Sequence, residues 1–201
     1  LLIFALRTTF YGVSCAQHRF AMALHATELF GDGGARLYGF MMTMNALLVL
    51  AFPTPIVALT KRYKPIYNVA FAGVLYAVGF GMLTWARLPW LFFASTFMWT
   101  LGEIVQATNE SVYVSNHTPM SHRGRFNAVL PLISGLGFSV STPIAGRIAH
   151  AAGIPAVWVV VAASAALASL GIAMLGKAEA VRKADCAGVS EGDGAAEGES
   201  A

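Results

Sequence analysis

The sequence predicts an all-α integral membrane protein with six transmembrane helices, and two observations carry that prediction. The chain of 201 residues is 57% hydrophobic and only 11% charged, a ratio that a soluble domain of this size does not hold in solution. Its apolar residues also fall into six stretches, each long enough for the roughly 20 helical residues that cross a hydrocarbon core of about 30 Å. Barrel strands are excluded because they alternate apolar and polar over about ten residues. Runs such as "VWVVVAASAALASLGIAML" (157–175) are apolar on every side.

The first span, 1–24, starts at Leu1 without an initiator Met, a basic leader or a small-residue cleavage site, and so reads as a true helix entered midway. It carries Arg7, Gln17, His18 and Arg19. At about 100° per residue, Arg7, Tyr11, Ser14, His18 and His25 fall within about 40° of one another and form a polar stripe along its length. The second span, 35–60, contains Asn45 and is broken by Pro53 and Pro55. The third, 65–86, has no charged residue in its interior and is expected to face lipid.

The fourth span, 89–115, contains "WTLGEIVQATNESVY". Glu110 lies about 20° around the helix from Glu103, with Gln106 about 60° to one side. Glu103 is expected near mid-membrane, and Glu110 about 10 Å nearer the basic side. An ionised side chain at the bilayer centre costs about 2.5 to 3.5 kcal/mol on insertion scales, so neither the glutamates nor the stripe on the first span is expected to face lipid. Two readings follow. The acids either fasten two helices by pairing with Arg7 or His18, or line a polar pathway between the first and fourth spans. Gln17, His18, Asn45, Gln106 and Asn109 serve either as cavity groups or as interhelical hydrogen bonds. Trp99, Tyr11 and Tyr113 are either aromatic contacts for a lipophilic substrate or packing residues.

The fifth span, 124–150, places Gly135, Gly137, Pro143 and Gly146 in "PLISGLGFSVSTPIAG" (131–146), where helices approach closely and a backbone carbonyl is freed. The sixth, 155–176, is again free of interior charge and expected to face lipid. From 177 the composition turns to Ala, Gly and acids, with too few large apolar groups to offset its ordering entropy. The tail 177–201 is therefore expected to be a disordered cytoplasmic segment. It holds three Lys/Arg and six Asp/Glu, against ten and four in residues 1–176.

Lys61, Arg62 and Lys64, then Arg123 and Arg125, then Lys177, Arg182 and Lys183 all fall on one side of the predicted membrane. By the positive-inside rule that side is cytoplasmic, which puts both ends of the segment inside; the expected location is the plasma membrane, as a multi-pass chain. Arg123 and Arg125, in a short cytoplasmic loop, suit lipid phosphates and helix ends. Asn109 and Asn116 match the glycosylation triplet but fall in the membrane and on the cytoplasmic side, so no glycan is expected. Cys15 and Cys186 are too few for a disulfide framework. No cofactor and no nucleic acid are called for, and His117 with His122 does not make a metal site.

"LYGFMMTMNALLVL", "TKRYKPIYNVAFAGVLYAVGFGML" and "WTLGEIVQATNESVYVSNHTPMSHRGRFN", together with the Gly/Pro-rich fifth span, resemble the C-terminal six-helix half of bacterial major facilitator superfamily transporters of the multidrug-efflux-like kind. The likeness covers about residues 1–176 and is most specific from "LGE" through "HTPMSHRGRFN". It implies helices seven to twelve of a twelve-helix protein, arranged as two inverted three-helix repeats. The first helix of each repeat then lines a central cavity and the third lies outside. The partners it implies are membrane lipid, a small-molecule substrate, protons, and the missing N-terminal six-helix half. The loop "PTPIVALTKRYKP" keeps only the basic cluster of the Gly/Asp/Arg-rich signature found there in the family.

The function expected is secondary transport by alternating access, with proton-coupled efflux and antiport implied by the resemblance. Glu103 is the preferred proton- or substrate-responsive carboxylate, and Glu110 the second. A carboxylate that alternates between dry and wet, or paired and unpaired, surroundings exchanges protons. The alternatives are a membrane-embedded hydrolase or transferase, for which no H-E-x-x-H, G-x-S-x-G or P-loop signature is present, and a non-transporting scaffold or channel.

Overall fold

The computed structural model describes residues 2–118, 120 and 123–197, and among these there is no strand. The helices in chain order are α1 (Leu2–Arg19), α2 (Ala21–Phe30), α3 (Asp32–Ala51), α4 (Pro53–Thr60), α5 (Pro65–Met82), α6 (Pro89–His117), α7 (Arg123–Ala152) and α8 (Ile154–Glu197), with a 3-10 turn at Leu83–Trp85 after α5. Among the described residues, three segments are by themselves long and apolar enough to cross a membrane: Asp32–Ala51, Pro65–Trp85 and Ile154–Ala180. The others reach spanning length only in combination, or carry more polar residues.

Two of the boundaries are bends within continuous rods. Phe20 N–H donates to Ala16 O and Leu24 N–H to Phe20 O, so the hydrogen-bond ladder runs from α1 into α2. Phe52 N–H donates to Leu48 O at 2.9 Å and Ile56 N–H to Phe52 O at 3.0 Å, joining α3 to α4. The bend there has a covalent cause: Pro53 and Pro55 have no N–H to give the preceding turn, and their rings push against it.

True reversals are marked by backbone chemistry. Gly31, at φ +54°, turns the chain between α2 and α3 in a conformation that side chains disfavour. Pro65 and Pro89 open α5 and α6 at their first turns, where a missing N–H costs nothing.

α5 is the centre of the bundle. It packs against α6 on one side and α8 on the other, while α1 packs against α7 and α8. Of its spanning window 56% is buried, against 33% for α8 and 17% for α3. The expectation that the third span faces lipid therefore holds for one face only. Phe71, Val74 and Val78 are exposed, whereas Val69, Ala72, Tyr76 and Phe80 are buried completely. An absence of charge says that a helix avoids water, and lipid tails and protein interior meet that requirement equally well.

Phe80 stacks on Trp99 of α6 and Trp158 of α8 at 5.9 Å each, and His18 of α1 stacks on Trp99 at 4.6 Å. The close approach depends on small residues. A Cβ on Gly79 would lie 2.8 Å from Trp99 N, and one on Gly73 would collide with the Tyr11 hydroxyl. Ser95 Oγ donates to Gly79 O at 2.7 Å, and Ser169 Oγ to Ala70 O at 2.6 Å, so hydroxyls on α6 and α8 fasten those helices to the α5 backbone.

In the fifth span, Gly137 meets Thr9 of α1 at a hypothetical Cβ distance of 2.7 Å. Gly135 has nothing within 4 Å, Gly146 only Phe20 Cζ at 3.9 Å, and Pro143 is exposed. Of the four residues expected to serve close packing there, Gly137 is the one at a tight crossing.

α8 continues past Lys177 to Glu197, through the segment expected to be disordered. The stretch "KAEAVRKADCA" (177–187) consists largely of strong helix formers. They extend a helix whose nucleation has already been supplied by the span.

Candidate functional site

The polar face of α6 is built in two parts. At mid-helix, Glu103 is half-buried, and Asn45 of α3 donates through Nδ2 to both Glu103 Oε2 and Thr100 Oγ1, each at 3.0 Å. The α3–α6 packing brings these groups together, and Thr100 sits on the same side of α6 as Glu103, three residues earlier.

Two turns further on, Gln106 Nε2 donates to Glu110 Oε2 at 3.0 Å. Gln106 Oε1 accepts from Tyr76 Oη at 2.9 Å, and Tyr76 Oη accepts from Cys15 Sγ at 3.6 Å. A single amide thus links Glu110 to a hydrogen-bond chain that crosses from α6 through α5 to α1. Among the described residues, neither Glu103 nor Glu110 forms an ion pair. The side chain of Arg7, expected as a partner, lies outside the described residues, as do those of Arg123, Arg125 and His117 and all of His122.

The described side chains of the stripe on the first span, Tyr11, Ser14, His18 and His25, are buried and make their contacts elsewhere than at the glutamates. Tyr11 Oη donates to Val69 O of α5 at 3.0 Å, and Ser14 Oγ to Phe10 O of its own helix at 3.3 Å. His18 stacks on Trp99, and His25 Nδ1 accepts from Trp158 Nε1 at 3.0 Å. Arg19 is exposed, with its guanidinium over the Phe138 ring at 5.7 Å. These residues join α1 and α2 to α5, α6, α7 and α8.

Asn109 is buried. Its Oδ1 accepts from Asn68 Nδ2 at 2.7 Å and its Nδ2 donates to Val105 O at 2.9 Å, while Asn68 Nδ2 also donates to Thr60 O at 2.9 Å. Asn109 therefore ties α4, α5 and α6 together near the basic loop. Trp99, Tyr11 and Tyr113 are packed as well. Tyr113 lies against Phe4, with ring centroids 4.2 Å apart and tilted by 33°, and donates to the Glu179 carboxylate.

Gln17 borders a cavity of about 280 Å³ between α1, α7 and α8 that also meets Ser141 and Ser164. Its Oε1 is buried with no hydrogen-bond partner among the described residues, as are His18 Nδ1 and Trp99 Nε1. Of the expected cavity residues, then, Asn45 and Gln106 stand with the glutamates, Gln17 borders the separate cavity between α1, α7 and α8, and Tyr11, His18, Trp99 and Asn109 are buried in helix contacts. Tyr76, Thr100 and Cys15 join the site without having been expected there. The helical spacing of Thr100 to Glu103 was the available signal.

The chain matches the family model described as Major Facilitator Superfamily over residues 2–191, and it belongs to that family. It is similar to an uncharacterized MFS-type transporter, YqjV, of Bacillus subtilis (strain 168), with 26% identity over 129 residues. That alignment covers 64% of this chain and 30% of the relative. No solved structure matches the chain significantly.

Proposed function

We propose that this chain forms the C-terminal six-helix unit of a secondary active transporter. The unit moves a small molecule by alternating access together with a second six-helix unit, and Glu103 is its coupling carboxylate. The six spans are α1 with α2, α3 with α4, α5 with its 3-10 turn, α6, α7, and the first part of α8, in two inverted three-helix repeats. The basic loops lie on the cytoplasmic face of the plasma membrane, and the transport is proton-coupled efflux of the multidrug kind.

The observation that supports this reading best is the setting of Glu103. It lies 14 residues into a 29-residue helix, half-buried, with a neutral amide for a partner. A carboxylate fixed by a cation would be a structural fastener. One held by a single amide at the edge of a bundle exchanges its proton as its surroundings change between dry and wet. Glu110, deeper in a hydrogen-bond chain, passes protons or cationic groups toward the cytoplasmic side.

Counterflow tests the transport claim. Liposomes containing the full-length protein and preloaded with unlabelled solute, beginning with a lipophilic cation such as ethidium and extending to a solute library, are expected to accumulate labelled solute transiently. Absence of exchange across the library, together with turnover of lipid or peptide by the same preparation, would sink the proposal.

A further inference from the structure

The outer surface carries a second feature that the transport reading does not use. An apolar groove of about 710 Å³ lies between α4, α5 and α6, walled by Phe52, Leu59, Phe71 and Leu101, with Tyr63 and Tyr67 at one end. Leu59, Tyr63 and Phe71 are 71%, 67% and 54% exposed. The wall residues on α6 run from Phe97 to Val105, a rise of about 12 Å. The groove therefore runs along the α6 axis, and Asn68 and Thr60, joined by a hydrogen bond at 2.9 Å, are part of its lining.

At the tyrosine end stand Lys61, Arg62 and Lys64, all exposed. The sequence from Gly33 to Gly102 contains no Asp or Glu, and among the described residues none of the three cations forms an ion pair. Three exposed cations without an ion-pair partner among the described residues flank Tyr63 in the chain, at the end of a slot lined by apolar side chains. That combination of charge and shape selects an amphiphile with an anionic head and an alkyl tail.

We propose that this groove is a binding site for one anionic glycerophospholipid, its phosphate held by Lys61, Arg62 and Lys64 and one acyl chain laid between α4, α5 and α6. Tyr63 and Tyr67 occupy the interface between head and tail, where amphipathic rings are favoured. The lipid props α4 against α5 beside the Pro53 bend, a place where protein packing alone leaves a gap.

Photocrosslinking tests it on the full-length protein reconstituted in liposomes. A phosphatidylglycerol carrying a diazirine at mid-chain is compared with phosphatidylcholine carrying the same chain, and labelled peptides are mapped. Each cation near an anionic phosphate contributes about a fivefold preference. The glycerol lipid is accordingly expected to label peptides containing Phe71 or Leu101 at least about fivefold more than the choline lipid. A K61Q/R62Q/K64Q variant should bring the two probes level, and Leu59→Trp, which narrows the groove without touching the charges, should lower labelling by both. Melting temperatures of the variants establish that they are folded. Equal labelling by the two lipids in the unaltered protein would overturn the proposal. So would labelling no greater than at the exposed Leu167 and Leu170 of α8, or a groove left unlabelled because another helical unit or a second copy covers it.

Discussion

Replacing Gly79 by Ala tests the central position of α5 more sharply than any change of charge. The added Cβ would stand 2.8 Å from Trp99 N, 3.1 Å from Trp99 Cβ and 3.3 Å from Met98 Cβ. Ordinary contact begins at 3.4 Å, so the backbone of α6 must move by about 0.6 Å. Backbone cannot swing aside as a side-chain tip does, and overpacking of this kind costs about 1 to 3 kcal/mol. The same displacement stretches the 2.7 Å bond from Ser95 Oγ to Gly79 O, and interhelical bonds in membranes contribute about 0.6 kcal/mol on average. The combined loss is about 2 to 4 kcal/mol. Gly81, two residues on, is the control, because a Cβ there meets only Ala162 Cβ at 3.6 Å and gains helix propensity. Thermal unfolding in detergent, followed by a thiol-reactive dye or by circular dichroism, is expected to show a clear fall in Tm for Gly79→Ala and none for Gly81→Ala. Equal melting of the two variants would refute the α5–α6 packing described here.

Three further outcomes are expected. Gly137→Leu should lower Tm by forcing α7 away from Thr9, whereas Gly135→Leu, in open space, should leave it unchanged; the same melting assay distinguishes them. A double-mutant cycle on Asn68→Ala and Asn109→Ala should give a coupling of roughly 0.6 kcal/mol, up to about 1.7, by equilibrium unfolding in mixed micelles, and strict additivity would remove the bond from the account. Asn45→Leu removes the hydrogen-bond donor to Glu103 while preserving bulk, so it should shift the pH profile of transport without preventing folding. An unchanged profile would mean that Asn45 does not set the surroundings of Glu103.

Much of the architecture was legible in the residues because spanning a membrane is a severe constraint. Stretches that must bury every peptide group in hydrocarbon become helices, and Pro53 and Pro55 mark the break in the second span by covalent geometry alone. The polar face of α6 was legible too, since Glu103, Gln106 and Glu110 repeat at helical spacing in an apolar run. Its partners were not. His18 was a natural choice by charge, yet Glu103 is answered by the Asn45 amide and His18 by the Trp99 ring, because helix packing decides which faces meet; the side chain of Arg7 lies outside the described residues. The tight glycines of α5 escaped notice for the same reason, although Gly137 of α7 did not. Gly73 and Gly79 differ from Gly135 in what stands opposite them, and one helix's sequence does not contain its neighbour. Hydropathy likewise identified α5 as dry without telling lipid from protein.

The most direct test of the coupling role of Glu103 is proton-driven transport by the full-length protein with Glu103→Gln. Gln preserves size and the Asn45 contact but cannot exchange a proton. Proteoliposomes carrying the variant, assayed with a solute that the unaltered protein exchanges, are expected to retain counterflow and to lose accumulation driven by an imposed pH gradient. If the Gln variant accumulates solute against its gradient as fast and as far as the unaltered protein does, Glu103 is not the coupling carboxylate.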